Sequence, residues 1–243
     1  MAIKKVVIAA AGKGTRMLDL SKDKPKHLIE VNGKPFLSYL LDNLYFAGYR
    51  DITLVAGYMY EKMEDFSNNY TPPQQGGLEI KIVNQFDFSD KNGTACPLMS
   101  VKNIKEQFIY ISGDNYYSVE DLKAINIEDD FNYVSGIESI APENFGVLVS
   151  EGEFLTGIVE KPKEFIGNMV NVSLYKFTPE IFEKINKIEK SPRGEYEITD
   201  AVSMLAQDHK VKINKIRGFW MDFGKPEDVD KLETFVNGNN QKK

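Results

Sequence analysis

The apolar run Val6-Val7-Ile8-Ala9-Ala10, flanked by lysines on one side and glycines on the other, predicts a buried strand close to the start of the chain. Further strands are predicted at Ile52–Val55, Glu79–Val83 and Phe108–Ser112, where short apolar stretches end in polar or glycine-containing turns. Helical spacing separates them, at Phe36–Ala47, at Glu61–Phe66 and around Ala95–Val101. In the first of these helices Leu37, Leu40, Leu41 and Leu44 share one face, and Gly48 supplies a C-cap. Alternation of this kind calls for parallel strands joined by crossover helices, hence an open α/β sheet with helices on both faces. Ligands of such sheets bind beyond the carboxyl ends of the strands, where Gly12 and Gly113-Asp114 fall.

From Tyr133 to Phe177 the pattern turns to antiparallel β at a mixed-sheet edge, with strands predicted at Val147–Val149, Leu155–Val159 and Val170–Phe177. Helices follow near Pro179–Asn186 and Ile198–Asp208, then a strand near Val211–Ile216 and a terminal helix from Glu227 to about Val236. The polar stretch Asn237–Lys243 is expected to fray. No internal repeat or linker divides the sequence, so residues 1–243 read as one domain.

Composition narrows the partners. With 243 residues the chain can bury a full core, and 42% hydrophobic with 27% charged residues is an ordinary globular balance. A net charge of −6 lacks the broad basic surface that nonspecific nucleic-acid binding requires, so any anion site must be local. Cys96 is the only cysteine, which excludes an intrachain disulfide and suits a small buried hydrophobe. No secretory leader pattern and no long apolar run is seen, so a cytoplasmic protein with no membrane partner is expected.

The richest chemistry lies just after the first strand. Ala9-Ala10-Ala11-Gly12-Lys13-Gly14-Thr15-Arg16 lets backbone N–H groups close on a polyanion, while Lys13, Arg16 and Lys26 bring cations within its reach. The P-loop is excluded because Lys13 lies between the glycines and no Gly-Lys-Ser/Thr follows. The dinucleotide fingerprint is also excluded: Met17 occupies the third glycine position, and the second strand runs into Ala56-Gly57-Tyr58 without the required acid. A triphosphate cradle remains, against the plainer alternative of a tight turn with solvated lysines.

Asp114 follows a buried strand, where it could ligate Mg²⁺ or serve only as a turn residue. Asp222 lies in the apolar segment Phe219–Phe223, where an ionised carboxylate needs a partner, and a shared Mg²⁺ would account for both acids. Glu160-Lys161 ends another apolar run: a surface ion pair is one reading, and the other gives Lys161 a sugar phosphate and Glu160 the sugar hydroxyls. Arg193 precedes a helix whose first residues are acidic, and either belongs to that cap or contacts a phosphate. His27 and His209 have no partner at metal-ligand spacing and read as surface or packing residues. No nucleophile motif is present, so covalent catalysis is not expected.

Taken in order, Ala10-Ala11-Gly12-Lys13-Gly14-Thr15-Arg16, Pro25-Lys26, Gly33-Lys34-Pro35, Gln85, Gly93-Thr94-Ala95, Gly113-Asp114-Asn115, Phe145-Gly146-Val147, Glu160-Lys161-Pro162, Arg193-Gly194-Glu195 and Trp220-x-Asp222-x-Gly224 resemble the sugar-1-phosphate nucleotidyltransferase family. The resemblance implies a Rossmann-like, mostly parallel mixed sheet of the nucleotide-diphospho-sugar transferase type, with a small antiparallel sugar-binding part. It implies a nucleotide-binding part over about 1–115 and a sugar-phosphate part over about 116–236. Arg16 and Lys26 would be catalytic, acting on the triphosphate. Ala10, Ala11, Gly12, Lys13, Gly14, Thr15, Gln85, Gly93 and Thr94 would bind the nucleotide. Asn115, Gly146, Glu160, Lys161, Asn171, Arg193 and Trp220 would hold the sugar 1-phosphate, with Mg²⁺ on Asp114 and Asp222.

The implied partners are a nucleoside triphosphate and a hexose 1-phosphate such as glucose 1-phosphate, giving NDP-sugar and pyrophosphate; a homo-oligomer is compatible. Ala11, where thymidylyltransferases carry a second glycine, resembles uridylyltransferases and points to UTP before dTTP. Asn171-Val172-Ser173-Leu174-Tyr175 departs from the family's Thr-Gly-hydrophobic-Tyr, and little sequence follows Asp222 for the β-helical acyltransferase domain of some relatives. Two alternatives stay open: a cytidylyltransferase acting on phosphocholine or another nonsugar phosphate, and a noncatalytic nucleotide- or sugar-sensing subunit.

Overall fold

The structure is a computed structural model, and it describes residues 2–74, 76–88 and 91–240. The first half of the chain runs through β1 (Lys5–Ala10), the short ribbon of β2 (Glu30–Val31) and β3 (Lys34–Pro35), then α1 (Phe36–Ala47), β4 (Asp51–Ala56), α2 (Tyr60–Asn69), β5 (Glu79–Asn84), α3 (Cys96–Met99) and β6 (Phe108–Ser112). Next come β7 (Asn115–Tyr117), α4 (Val119–Ala124), β8 (Asn132–Glu138), β9 (Gly146–Glu151), β10 (Phe154–Glu160) and β11 (Met169–Phe177). The chain ends through α5 (Ile181–Ile185), α6 (Ile198–Gln207), β12 (Val211–Lys215), β13 (Trp220–Asp222) and α7 (Glu227–Asn240).

One nine-stranded mixed sheet, in the order β5-β4-β1-β6-β11-β8-β12-β10-β9, carries the fold. Strands β5, β4, β1 and β6 are mutually parallel, as the strand–helix alternation predicted. β11 enters antiparallel between β6 and β8, and β9 and β10 close the far edge as an antiparallel pair. The antiparallel part is thus continuous with the parallel part in a single sheet.

Side-chain alternation divides the core between the two faces. Val6 and Ile8 of β1 join the α1 leucines on one face, while Val7 joins the cluster of Phe108, Phe177, Ile181 and Val202 on the other. A third cluster, with Met17, Phe36, Met221, Phe223 and Leu232, fastens the turn after β1 to β13 and α7. Phe36 and Phe223 stack there at 4.1 Å between ring centroids.

Several boundaries differ from the periodicity. The helix expected around Ala95–Val101 is a single turn, Cys96–Met99. The terminal helix continues through Asn240 instead of fraying from Asn237, because Leu232, Phe235 and Val236 still find apolar partners; residues 241–243 of that stretch lie outside the described residues. Cys96 is buried, as expected.

Candidate active site

Beyond the carboxyl ends of β1 and β6 opens a cavity of about 860 Å³. Its floor begins at the turn after β1. Gly14 adopts φ +65°, and a Cβ there would meet the aliphatic stem of Lys26 at 2.8–3.0 Å. Only glycine fits that conformation and that approach together. Lys26 is thereby held on its own short turn, buried, with Nζ ion-paired to Asp114.

Asp114 and Asp222 are far apart in sequence and meet through a two-stranded sheet outside the main one. β13 pairs antiparallel with β7, which sets Asp222 opposite Asn115, and Phe223 N donates to Asp114 O at 2.7 Å. The second oxygen of Asp114 accepts from Ser112 Oγ (2.5 Å) and Asn115 Nδ2 (3.0 Å). Asn115 in turn accepts from Trp220 Nε1 at 2.8 Å, and Phe145 meets the indole edge-on. Arg16 completes the cluster. A Cβ on Gly224 would lie 3.2 Å from Asp222 Oδ2 and 3.3 Å from a guanidinium nitrogen of Arg16, so Gly224 lets acid and cation share one corner.

The two acids are electrostatically unequal. Burial works against ionising Asp114, yet the Lys26 ion pair and hydrogen bond, with Ser112, outweigh it and hold its pKa well below the usual carboxylate range. Asp222 has no hydrogen bond or ion pair on its carboxylate among the described residues, and burial first, then the charge of Asp114, push its pKa up to about 6. His27, fully buried beside this pair, has an unpartnered Nδ1 and a pKa lowered to about 3, by burial first and by Lys26 second. The sequence offered only a surface or packing role for this histidine, and its place on the cavity wall was not foreseen.

On the β5 side the wall carries Gln85, Gly93 and Thr94 with Ala11, Gly12 and Lys13. Gly93 is pressed against Tyr196, where a Cβ would come within 2.2 Å of the carbonyl oxygen. Thr94 Oγ1 accepts from Ile198 N at 3.0 Å, so its hydroxyl serves the start of α6. Ala10, Gly14 and Thr15 do not line the cavity: Ala10 is core, Gly14 supports Lys26 and Thr15 opens the next turn.

The β9–β11 side carries Asn115, Gly146, Glu160, Lys161, Asn171, Arg193 and Trp220. Gly146 leaves room for Glu160, whose Oε2 would be 2.9 Å from a Cβ. Lys161 adopts φ +46°, a strained conformation for a side-chain-bearing residue at the end of β10. Instead of pairing with Lys161, Glu160 lies 3.6 Å from Arg193. Arg193 is mainly held by Glu197, through Nε to Oε1 at 3.0 Å and Nη2 to Oε2 at 2.6 Å. Glu197 was not singled out from the sequence: it and Arg193 lie in the turn ahead of α6, where no helical spacing marks a pair. Asn171 accepts from Ser173 N and donates to the Tyr175 hydroxyl, and so staples a bulge in β11 in which Ser173 takes φ +57°. This explains the departure in the sequence: a left-handed position that suits glycine is here occupied by serine.

Among the described residues no helix is long and apolar enough to cross a membrane. The model of the nucleotidyl transferase family matches residues 5–238. A bifunctional sugar-1-phosphate nucleotidylyltransferase/acetyltransferase from Sulfurisphaera tokodaii is 34% identical over 226 residues, 93% of this chain; the chain spans about half of that relative, 53% of its length. The UTP–glucose-1-phosphate uridylyltransferase AglF of Haloferax volcanii is also 34% identical, over 93% of this chain and 94% of its own. The solved structure of a UDP-glucose pyrophosphorylase complexed with UDP-glucose superposes with a TM-score of 0.84, covering 98% of this chain and 99% of that one at 22% identity, and shares the fold. Matched along nearly its whole length by the family model, this chain belongs to the nucleotidyl transferase family.

Proposed function

We propose that the protein is a sugar-1-phosphate nucleotidyltransferase that condenses UTP with a hexose 1-phosphate, glucose 1-phosphate first, to give UDP-sugar and pyrophosphate. The observation that carries this reading is the meeting of Arg16, Lys26, Asp114 and Asp222 at one cavity, with residues suited to a base on one side and to a sugar on the other. A sugar phosphate has its second pKa near 6 and is already largely a dianion at neutral pH, so no general base is needed. One of its oxygens attacks the α-phosphorus of UTP, the bond from that phosphorus to the bridging oxygen breaks, and the electron pair leaves with pyrophosphate. Arg16 and Lys26 hold the triphosphate and neutralise charge that grows on it. Glu160 and Lys161 receive the sugar and its phosphate, Arg193 fixes Glu160 in place, and Asn171 keeps the β11 bulge that faces them.

The acids fit Mg²⁺. Asp222 is a partly buried carboxylate with unfilled acceptor capacity next to a second carboxylate, and Mg²⁺ bound with phosphates takes one or two such protein oxygens. When bound on Asp114 and Asp222, the ion would supply further neutralisation of the phosphate oxygens. AglF, a UTP–glucose-1-phosphate uridylyltransferase, supports the choice of base and sugar, and Ala11 in the turn supports the base. Phosphorylated metabolites of this kind suit a cytoplasmic enzyme.

The test is a pyrophosphate-release matrix of UTP, dTTP, CTP, GTP and ATP against glucose, N-acetylglucosamine, mannose and galactose 1-phosphates and phosphocholine, with Mg²⁺ and with EDTA. UTP with glucose 1-phosphate is expected to be fastest and EDTA to stop it. Turnover by no pair rejects the enzyme, and turnover of CTP with phosphocholine alone gives the cytidylyltransferase.

A further inference from the structure

Phe86 is a large aromatic side chain left half exposed, 51%, on the wall of the cavity beside the buried Gln85. Among the described residues no other aromatic ring packs against it. Its backbone is nonetheless fixed. The turn Gln85–Asp87 is closed by Asn84 Oδ1, which accepts from Phe86 N at 3.1 Å, by Asn84 Nδ2 donating to Asp87 Oδ1 at 3.2 Å, and by Phe88 N donating to Gln85 O at 3.1 Å. A pinned turn that presents an uncovered ring to a polar cavity positions the ring for a ligand rather than for the core. Phe88, two residues on and 62% exposed, does not line the cavity and has no such placement.

The turn stands at the carboxyl end of β5, on the side of the sheet where Ala11 and Gly12 also line the cavity. The charged cluster of Lys26, Asp114 and Asp222 takes the phosphates, and Glu160 with Arg193 lies on the β10 side. A flat heterocycle extending from the phosphates toward β5 therefore meets Gln85, an amide able to read its edge, and Phe86, a ring able to cover its face. We infer that Phe86 is the stacking platform for the nucleotide base, an inference that rests on the nucleotidyltransferase reading. Stacking is tolerant of base identity, so Phe86 would supply affinity while the edge contact supplies choice.

Equilibrium binding of UTP and of inorganic tripolyphosphate, which has the charge but no base, separates this role from a general effect on the loop. Phe86→Ala and Phe86→Leu are expected to weaken UTP binding by about fivefold to about a hundredfold and raise its KM alike. Phe86→Tyr should stay within about threefold of wild type because it keeps the ring. Tripolyphosphate affinity and the KM for the sugar phosphate should be unchanged in all three, and Phe88→Ala should match wild type throughout. Wild-type affinity for UTP in Phe86→Ala, equal loss of tripolyphosphate, or Leu performing as well as Tyr overturns the assignment. A wild-type protein that turns over no nucleotide pair rejects the functional reading itself, whereas an active wild type with an indifferent Phe86→Ala rejects only the platform.

Discussion

Lys26 has two tasks that pull in the same direction. It neutralises Asp114 in the free protein, and its Nζ faces the cavity where a triphosphate would lie. Lys26→Ala should lower kcat by about 10²–10³ while the protein remains folded, read by pyrophosphate release and circular dichroism. Asp222 differs, because it has no direct ion pair, and the nearby charges of Lys26 and Arg16 only partly offset its burial and the charge of Asp114. Its acid form is favoured by burial and by Asp114, so between about pH 4, where the unfolded chain ionises it, and about 6 the folded state holds a proton that the unfolded chain gives up. Its contribution to stability is complete at low pH and is lost as pH rises through about 6. In EDTA, Asp222→Asn should therefore have a higher Tm than wild type at pH 8 and a smaller loss of Tm between pH 4 and 8, while losing turnover in Mg²⁺. A Tm at pH 8 no higher than wild type would show that Arg16 and Lys26 fully offset the burial of Asp222.

At the scale of elements, the site depends on β7 and β13, a pair of three-residue strands tied to the body by Phe223 on Phe36. Phe223→Ala should cost about 3–5 kcal/mol, measured by denaturant unfolding, and should loosen Asp222 from Asp114 so that activity falls along with stability. Longer elements were readable from the sequence: Phe36–Ala47 and Phe108–Ser112 have the bounds that periodicity assigns. Three residues carry no period, and so neither β7 nor β13 could be read, although the acids they bring together could be named. The Arg193–Glu197 pair was not readable, because it lies in a turn ahead of α6 where four-residue spacing implies no contact, and an arginine offered to a phosphate and one clamped between two carboxylates look alike in sequence.

Across the whole molecule, the parallel strands β5-β4-β1-β6 and the antiparallel group that follows share one sheet, and the cavity spans both. The strand–helix alternation conveyed the first half because each parallel strand needs a crossover. The second half depends on β11 crossing to lie between β6 and β8, a long-range choice that local pattern does not encode. Its result is that the chain's only tryptophan, Trp220, stands on the cavity wall, bonded through Asn115 to Asp114 and edge-on to Phe145. An indole in that position is a built-in optical gauge: its emission should shift when sugar phosphate fills the cavity, letting occupancy be titrated in the unlabelled protein with no turnover at all. Trp220→Phe should silence that signal, and a spectrum indifferent to saturating ligand would mean that the indole does not sense the filled cavity.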